Sequence, residues 1–158
     1  MKKLEYSEIS GCFTWAFDPR GKPGLKGKKA GFLVNGYTLI KTTIGGKKAS
    51  FFAHRLAWLY VYGEWPNSEI DHINGDRSDN RIQNLRDATH SENQQNRRAA
   101  SKKSKTGVLG VHPTPDGRYV AQISINGRSV KIGRFRSVED AQAAYIETKR
   151  EIHAGCTI

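Results

Sequence analysis

The sequence predicts an α+β protein made of two small modules, and three patterns support this fold class. Residues 69–95 have the pattern of a strand, a polar loop, a second strand and a helix. Short β-branched and aromatic segments, separated by glycine-containing turns, precede this unit. After a basic stretch at residues 97–105, three more strand segments lead into one helix. A chain of 158 residues suits two modules of this size.

The charge of the chain favours a polyanionic partner. The sequence has 26 lysines and arginines against 15 aspartates and glutamates, which gives a formal net charge of +11. An excess of this kind attracts nucleic acid electrostatically. The alternative is a basic surface that is merely solvated, and charge alone does not separate the two.

Cysteine usage and hydropathy indicate a reducing, aqueous compartment. Cys12 and Cys156 lie at opposite ends of the chain and no CxxC pair occurs, so we expect neither a disulfide framework nor a cysteine zinc site. No stretch reaches the roughly 18 apolar residues of a membrane span, and residues 1–10 lack the pattern of a signal peptide. We therefore expect a protein of the bacterial or phage-infected cytoplasm, with no membrane partner.

The N-terminal third is predicted to form β-hairpins. Asn35-Gly36 and Gly45-Gly46 are turn dipeptides. They delimit a strand at residues 37–44 and its antiparallel partner at residues 47–52. A lysine cluster on a nearby loop either contacts phosphate or is simply solvated; it consists of Lys22, Lys26, Lys28 and Lys29.

A short helix is predicted at residues 54–62, HRLAWLYVY, ending before Gly63 and Pro66. EIDHI then forms a strand and LRDA a second one, with a polar loop between them. The next helix begins with a Thr-x-x-Glu capping box, Thr89 to Glu92, although Ser91 and Gln94 form a competing pair.

The segment from Asp71 to Asn93, DHINGDRSDNRIQNLRDATHSEN, contains the groups that phosphodiester hydrolysis needs. An imidazole accepts a proton from water at neutral pH. Carboxylate and amide oxygens suit Mg²⁺ or Mn²⁺. In a flat strand, however, Asp71 and His72 point to opposite faces, so a twisted or bulged strand end is required for both to act at one site.

This segment resembles the HNH nuclease family, also called the ββα-metal fold. The resemblance implies a single catalytic Mg²⁺ or Mn²⁺ held by Asp71 and Asn93, with His72 as the general base. Asn84 matches the middle asparagine of the motif, which orients His72 or fastens the loop to it. By spacing, Asn93 is the ligand rather than His90.

The chain departs from a branch of this family that binds a structural zinc through CxxC pairs, so no structural zinc is expected. The predicted core instead consists of Leu56, Trp58, Leu59, Ile70, Ile82 and Leu85. His54, which precedes the motif, is interpreted as a structural hydrogen-bonding residue in preference to a catalytic one. The adjacent Arg55 is a candidate for phosphate binding.

The tail is predicted to be a three-stranded meander followed by a helix. Pro115-Asp116-Gly117 and Asn126-Gly127 mark its turns. Ser137 is placed to cap the helix, with Asp140 at the third helical position. The residues expected to face the sheet at helical spacing are Ala141, Ala144, Tyr145 and Thr148.

Residues 107–155 resemble the DNA-binding domain of the plant ethylene-response-factor (Apetala) family. The resemblance implies a sheet that lies in the major groove of duplex DNA. The corresponding positions are His112, Arg118, Tyr119, Gln122, Ser124, Arg128 or Ser129, and Lys131. His112, Ser124 and Lys131 stand where arginine, arginine and tryptophan are usual, so a sequence preference is not carried over. The alternative is a structural appendage with solvated charges.

These patterns predict a homing-type or phage DNA endonuclease that acts on double-stranded DNA, with nicking as the default and no obligate protein partner. An HNH core with N-terminal hairpins would occupy residues 1–98, its motif residues 54–96. A basic linker at 99–106 and the small sheet-and-helix domain at 107–158 would follow. The alternatives are a DNA-binding regulator with a silent nuclease site and a phage nuclease of low specificity.

Overall fold

The chain divides into two units, Met1–His90 and Ser91–Ile158. The computed structural model describes residues 3–18, 23–125, 127–153 and 156. Each unit combines small antiparallel sheets with helices, which confirms the α+β class. The finer partition into residues 1–98, 99–106 and 107–158 stays a prediction.

The first unit consists of short antiparallel strands, one helix and one 3-10 turn. Strands β1 and β2 pair with each other, β3, β4 and β5 form a sheet in that order, and β6 pairs with β7. The elements are β1 Leu4–Ser7, β2 Cys12–Trp15, β3 Phe32–Val34, β4 Tyr37–Ile44, β5 Lys47–Phe52, α1 Ala53–Tyr62, β6 Glu69–His72, the 3-10 turn Ile82–Asn84 and β7 Leu85–Ala88.

Two tight turns define the central hairpins, as predicted. Asn35 and Gly36 both have positive φ, 51° and 86°, so the turn matches the twist of the strands that it joins. Val34 therefore pairs with Tyr37, directly across this turn. The bounds predicted for β4 and β5 are confirmed, and Lys22 of the predicted lysine cluster lies outside the described residues.

Helix α1 follows β5 directly and positions one wall of the core. It ends at Gly63, which has a left-handed conformation and donates its backbone N–H to the Leu59 carbonyl at 3.0 Å. The core of the first unit comprises Phe13, Ala30, Ile40, Ala53, Ala57, Ile70 and Leu85. The predicted core residues Ile70 and Leu85 are confirmed, and Leu56, Trp58 and Ile82 pack against this core; Leu59 is half-buried.

The second unit is a meander covered by a helix, as predicted. Its elements are β8 Val111–Pro113, β9 Tyr119–Ile125, β10 Arg128–Phe135 and α3 Val138–Ile152, and the sheet order is β10-β9-β8. The Ser137 hydroxyl accepts the Asp140 backbone N–H at 3.1 Å, which confirms the cap. Asn126 of the second predicted turn lies outside the described residues.

The helix α2, His90–Gln95, ends before residues 97–105, so this basic stretch is not helical. The hydrophobic core of the second unit comprises Val111, Ala121, Ile123, Ala141 and Tyr145. Ala144 and Thr148, which were also expected to face the sheet, are only half-buried. Within the described ranges, none of the helices has both the length and the hydropathy needed to cross a bilayer.

Candidate active site

The candidate site is built at the end of β6. This strand pairs with β7 in a register that places Asp71 opposite Arg86 and His72 opposite Leu85. Asp71 is 5% exposed and His72 is 4% exposed. Burying two polar groups in succession is costly unless each has a partner, so the partners indicate how the site is organised.

Asp71 is bonded across the hairpin by a guanidinium. Its Oδ2 accepts hydrogen bonds from Nε and Nη2 of Arg86 at 2.9 and 2.7 Å. The arginine supplies the positive charge that a buried carboxylate requires. A divalent cation at Asp71 would therefore share this carboxylate with Arg86.

His72 is oriented by Asn80, a residue that the sequence analysis missed. The His72 Nε2 lies 3.3 Å from the Asn80 Oδ1. Asn80 is 2% exposed, and its Nδ2 donates to the Ser78 carbonyl at 3.0 Å, which turns Oδ1 toward the imidazole. Because an amide oxygen only accepts, His72 carries its hydrogen on Nε2, and Nδ1 is the proton-accepting nitrogen of the neutral ring.

The surroundings of His72 keep the imidazole neutral. Burial lowers its pKa below the ordinary value, and the hydrogen bond with Asn80 and the nearby carboxylates oppose this effect only in part. The backbone of Asn80 is itself fixed, since its carbonyl accepts the Tyr6 hydroxyl at 2.7 Å. Nothing in the sequence distinguishes Asn80 from the other asparagines of a polar loop, because its role depends on a turn that brings it back to β6.

Asn84 fastens the loop rather than orienting the base. Its Oδ1 accepts the backbone N–H of Asn74 at 2.9 Å, and its Nδ2 donates to the carbonyl of Asp79 at 2.8 Å. One side chain therefore links the beginning and the end of the loop. Of the two roles that the sequence left open, the structure shows the fastening role for Asn84 and gives the orienting role to Asn80.

The carboxylates of this loop are engaged within the loop. Asp76 Oδ1 accepts the backbone N–H and the hydroxyl of Ser78. Asp79 accepts the Nε and Nη2 of Arg81 at 2.8 and 2.6 Å. The hydrogen bond from Arg81 lowers the pKa of Asp79 to about 2. These contacts fix the loop that carries Asn80.

Aromatic rings surround His72 on another side. The ring of His54 meets that of His72 edge-on, with centroids 5.2 Å apart and an interplanar angle of 80°. His54 also stacks on Phe52 at 5.5 Å, and Tyr37 lies 5.4 Å from His54 and 6.0 Å from His72. Three elements, β4, β5 and α1, therefore contribute rings to one cluster around the imidazole.

His54 is a packing residue in this cluster. Its Nδ1 is buried and, among the described residues, has no hydrogen-bond partner, so the predicted hydrogen-bonding role is not seen at that atom. Burial lowers the pKa of His54 to about 3, and the neighbouring His72 and Arg55 contribute to the shift. Arg55 itself donates to the Ser68 carbonyl at 3.4 Å, and its guanidinium lies 5.9 Å from the centre of the Trp65 ring.

Comparison with known proteins agrees with this geometry. Residues 51–95 match the family model described as HNH endonuclease. This segment is an HNH endonuclease domain. The matched family is a class of nucleases, so the hydrolase class predicted from the sequence is confirmed for the domain.

The chain is also similar in part to a solved structure, described as DNA binding and cleavage by the HNH homing endonuclease I-HmuI. The sequence identity is 26% and the TM-score is 0.45. The match covers 59% of this chain and 50% of that chain, so this chain spans about half the length of that protein. No curated protein sequence matches the chain.

The donor chemistry of the predicted metal ligands shows whether they fit a divalent ion. HNH nucleases generally use a divalent metal ion, and the predicted ligands are a carboxylate oxygen from Asp71 and an amide oxygen from Asn93. Both are hard donors that fit Mg²⁺ or Mn²⁺. Asn93 lies in α2, in the second unit, so its position at the metal stays a prediction. His90, which was set aside as a ligand, lies 2.8 Å from the Glu69 carboxylate.

Beyond the HNH domain, the tail sheet brings together some of the predicted DNA-binding residues. Lys131 pairs with Gln122 and His112 pairs with Val120, so these side chains share one face of the sheet. The buried Ala121 and Ile123 face the other way, toward the core.

DNA contact was also predicted for Tyr119, Arg128 and Arg118, and it stays a prediction for all three. Tyr119, predicted to contact DNA, packs against the tail core, because strand alternation puts it on the same face as Ala121. Arg128 pairs with Ile125 and therefore also lies off the face of Gln122. Arg118 precedes β9 and lies 3.7 Å from the Asp116 carboxylate. The likeness of the tail to the ethylene-response-factor domain stays a prediction.

Proposed function

We propose that this protein is a metal-dependent endonuclease that hydrolyses phosphodiesters in duplex DNA. One observation carries the proposal: a buried, neutral imidazole at His72, fixed by Asn80 and adjacent to the buried carboxylate of Asp71, inside an HNH domain. A general base for water has to be neutral, and it also has to be held in one orientation. His72 meets both conditions.

In the proposed mechanism His72 removes a proton from the attacking water at Nδ1. Its Nε2–H remains bonded to Asn80, so the ring keeps one tautomer before the proton arrives and one orientation afterwards. The aromatic neighbours Tyr37 and His54 limit tilting of the ring. Asn84 supports the same arrangement by holding the loop that carries Asn80.

Asp71 and Asn93 would hold Mg²⁺ or Mn²⁺ in this mechanism. Such an ion stabilises the negative charge that develops at phosphorus and on the leaving oxygen. Arg86 keeps the Asp71 carboxylate in place at the end of β6. Asp71 and His72 are adjacent on β6 and both pair with β7, so the proposed base and this proposed ligand are held close together.

Duplex DNA is the proposed substrate because the chain carries a net charge of +11 and a sheet face with polar donors. His112, Gln122 and Lys131 on that face are groups that can contact phosphates and base edges in the major groove. A second DNA-binding module in the same chain raises the effective concentration of DNA at the nuclease domain. A single active site of this type breaks one strand, so we expect nicking of a homing-endonuclease kind.

The proposal is tested on supercoiled plasmid. Wild-type protein with Mg²⁺ or Mn²⁺ is expected to convert the plasmid to the open circle, and a chelator is expected to stop the reaction. His72→Ala should leave the plasmid supercoiled while still binding it. His90→Ala, which removes a histidine outside the site, serves as the matched control and should nick at the wild-type rate. If the plasmid stays intact with wild type and with His72→Ala, in Mg²⁺ and also in Mn²⁺, the proposed nuclease activity is excluded.

A further inference from the structure

Arg77 lies close to the candidate site without a role in the mechanism above. It is an exposed residue of the loop between β6 and the 3-10 turn. Its guanidinium carbon is 4.9 Å from the centre of the Tyr37 ring, in a cation–π arrangement. The ring of Tyr37 is in turn 6.0 Å from the ring of His72. A single aromatic side chain therefore separates this positive charge from the proposed base.

The charge of Arg77 is not neutralised by the acids of its own loop. Asp76 is bonded to Ser78, and Asp79 is bonded to Arg81. Arg86, on β7, forms a salt bridge with Asp71. In the part of the chain that the structure describes, Arg77 forms no salt bridge. It is thus a cation fixed at the site by an aromatic face rather than by a carboxylate.

This arrangement suits the binding of an anion by the planar guanidinium group of Arg77. Its position over the Tyr37 ring limits the movement of the guanidinium, and the guanidinium N–H groups can form two parallel hydrogen bonds with one phosphate. The stem of the arginine is also guided by the hairpin turn, since a Cβ at Gly36 would lie 3.6 Å from the Arg77 Cδ. Less side-chain freedom is therefore lost when a phosphate binds.

We propose that Arg77, positioned on Tyr37, binds the two non-bridging oxygens of a DNA phosphate next to the scissile one. The proposal rests on the function inferred above, because the attacked phosphorus has to lie within reach of a water held by His72. The DNA strand that carries this phosphorus would then pass Tyr37, and its neighbouring phosphate would lie at Arg77. Arg77 is a substrate-binding residue in this account, and Tyr37 is the positioning residue behind it.

The test uses full-length protein with His72→Ala, so that binding is measured without cleavage. Kd for a short duplex is determined across a range of salt concentrations by fluorescence anisotropy. Replacing Arg77 by Ala is expected to weaken binding about tenfold and to reduce the slope of log K against log salt by about one, as for the loss of one phosphate contact. Arg77→Lys should keep the slope but lose part of the affinity, because it retains charge without the paired donors.

Matched variants separate this contact from general charge and from folding. Arg81→Ala removes the same charge from the same loop, but Arg81 is held by Asp79, so the slope should not change. Tyr37→Phe keeps the aromatic face and should bind as the parent does, whereas Tyr37→Leu should resemble Arg77→Ala. Thermal unfolding of the Arg77 variants should match the parent, since the side chain is exposed.

The decisive experiment replaces one DNA phosphate at a time by a neutral methylphosphonate and measures Kd for each duplex. At one position, the neutral group should weaken binding of the parent but not of Arg77→Ala, because the contact has already been lost. An unchanged Kd and salt slope for Arg77→Ala, or equal losses at every position for both proteins, would overturn the proposal. Failure of wild-type protein to nick plasmid would refute the nuclease function alone, since the Arg77 effects are read from binding.

Discussion

At the scale of single residues, a sequence motif indicates the reacting side chains better than it indicates the residues that hold them in place. Asp71 and His72 were singled out from the sequence because, together with Asn84 and Asn93, they match the spacing of the HNH motif. Asn80 was not, since its contact with His72 arises from the path of a loop. His54 was predicted to be structural rather than catalytic, but the sequence could not show the form of that role, because the fold encloses its ring among Phe52, Tyr37 and His72.

Replacing Asn80 by Ala tests the orienting role. We expect the single-turnover cleavage rate at saturating DNA and metal to fall about tenfold to a hundredfold, the range found when a partner that orients a functional histidine is removed. DNA affinity should change little, because Asn80 is buried and has no access to the substrate. Asn80→Asp, which retains an acceptor facing Nε2, should recover part of the rate. A wild-type rate for Asn80→Ala would refute the role.

Asp79 provides a pH dependence of stability. Its pKa falls from 3.8 to about 2 on folding, chiefly through the hydrogen bond from Arg81. A carboxyl whose folded pKa is depressed stabilises the fold above its unfolded pKa, and the contribution is lost as pH falls toward the folded pKa. Wild type should therefore exceed Asp79→Asn in free energy of unfolding at pH 6, and the difference should shrink between about pH 4 and pH 2. A difference that is constant over this interval would contradict the assignment.

At the scale of elements, turn chemistry explains most of what the sequence predicted. Asn35-Gly36 and Gly45-Gly46 gave the bounds of β4 and β5, and Ser137 gave the start of α3. The bounds of β1, β2 and β3 were not predicted, because these strands are only three or four residues long and depend on pairing across the chain. The conformation of the loop between β6 and β7 could not be predicted either, because it depends on hydrogen bonds from side chains such as Asn84 rather than on a repeating sequence pattern.

Asn84→Ala is expected to loosen this loop. The variant removes the acceptor for the Asn74 N–H and the donor to the Asp79 carbonyl, so buried polar groups lose partners. The free energy of unfolding should fall by about 1–3 kcal/mol, measured by urea denaturation. Asn84→Asp keeps the acceptor alone and should lose less. If both variants unfold at the wild-type urea concentration, the side chain does not hold the loop.

At the scale of the whole molecule, the proposed function divides chemistry and DNA recognition between two parts of the chain. The HNH domain contains the proposed base and both proposed metal ligands, whereas the tail offers a polar sheet face opposite its buried residues. Sequence indicated both modules, but it could not decide which side chains face outward, because a resemblance transfers positions without showing strand register. Tyr119 illustrates this point, since strand register puts it on the face of the sheet that packs against the tail core.

The tail face is tested in the full chain by replacing His112, Gln122 and Lys131 with Ala. We expect the KM for DNA to rise severalfold while the rate at saturating DNA is unchanged, since the chemistry lies in the HNH domain. Arg150→Ala, on α3 at the other face of the sheet, removes one positive charge and is the control, with a smaller effect on KM. An equal KM for wild type and the triple variant would exclude this face from DNA binding.

The central claim is that the buried imidazole of His72 is the base of a DNA nuclease, and chemical rescue tests it most directly. Single-turnover cleavage of duplex DNA is measured for wild type and His72→Ala, with and without added imidazole. The account predicts that His72→Ala cuts about 10²–10⁴ times more slowly, the usual contribution of a general base, and that imidazole restores part of the rate. A His72→Ala rate equal to that of wild type would contradict the claim.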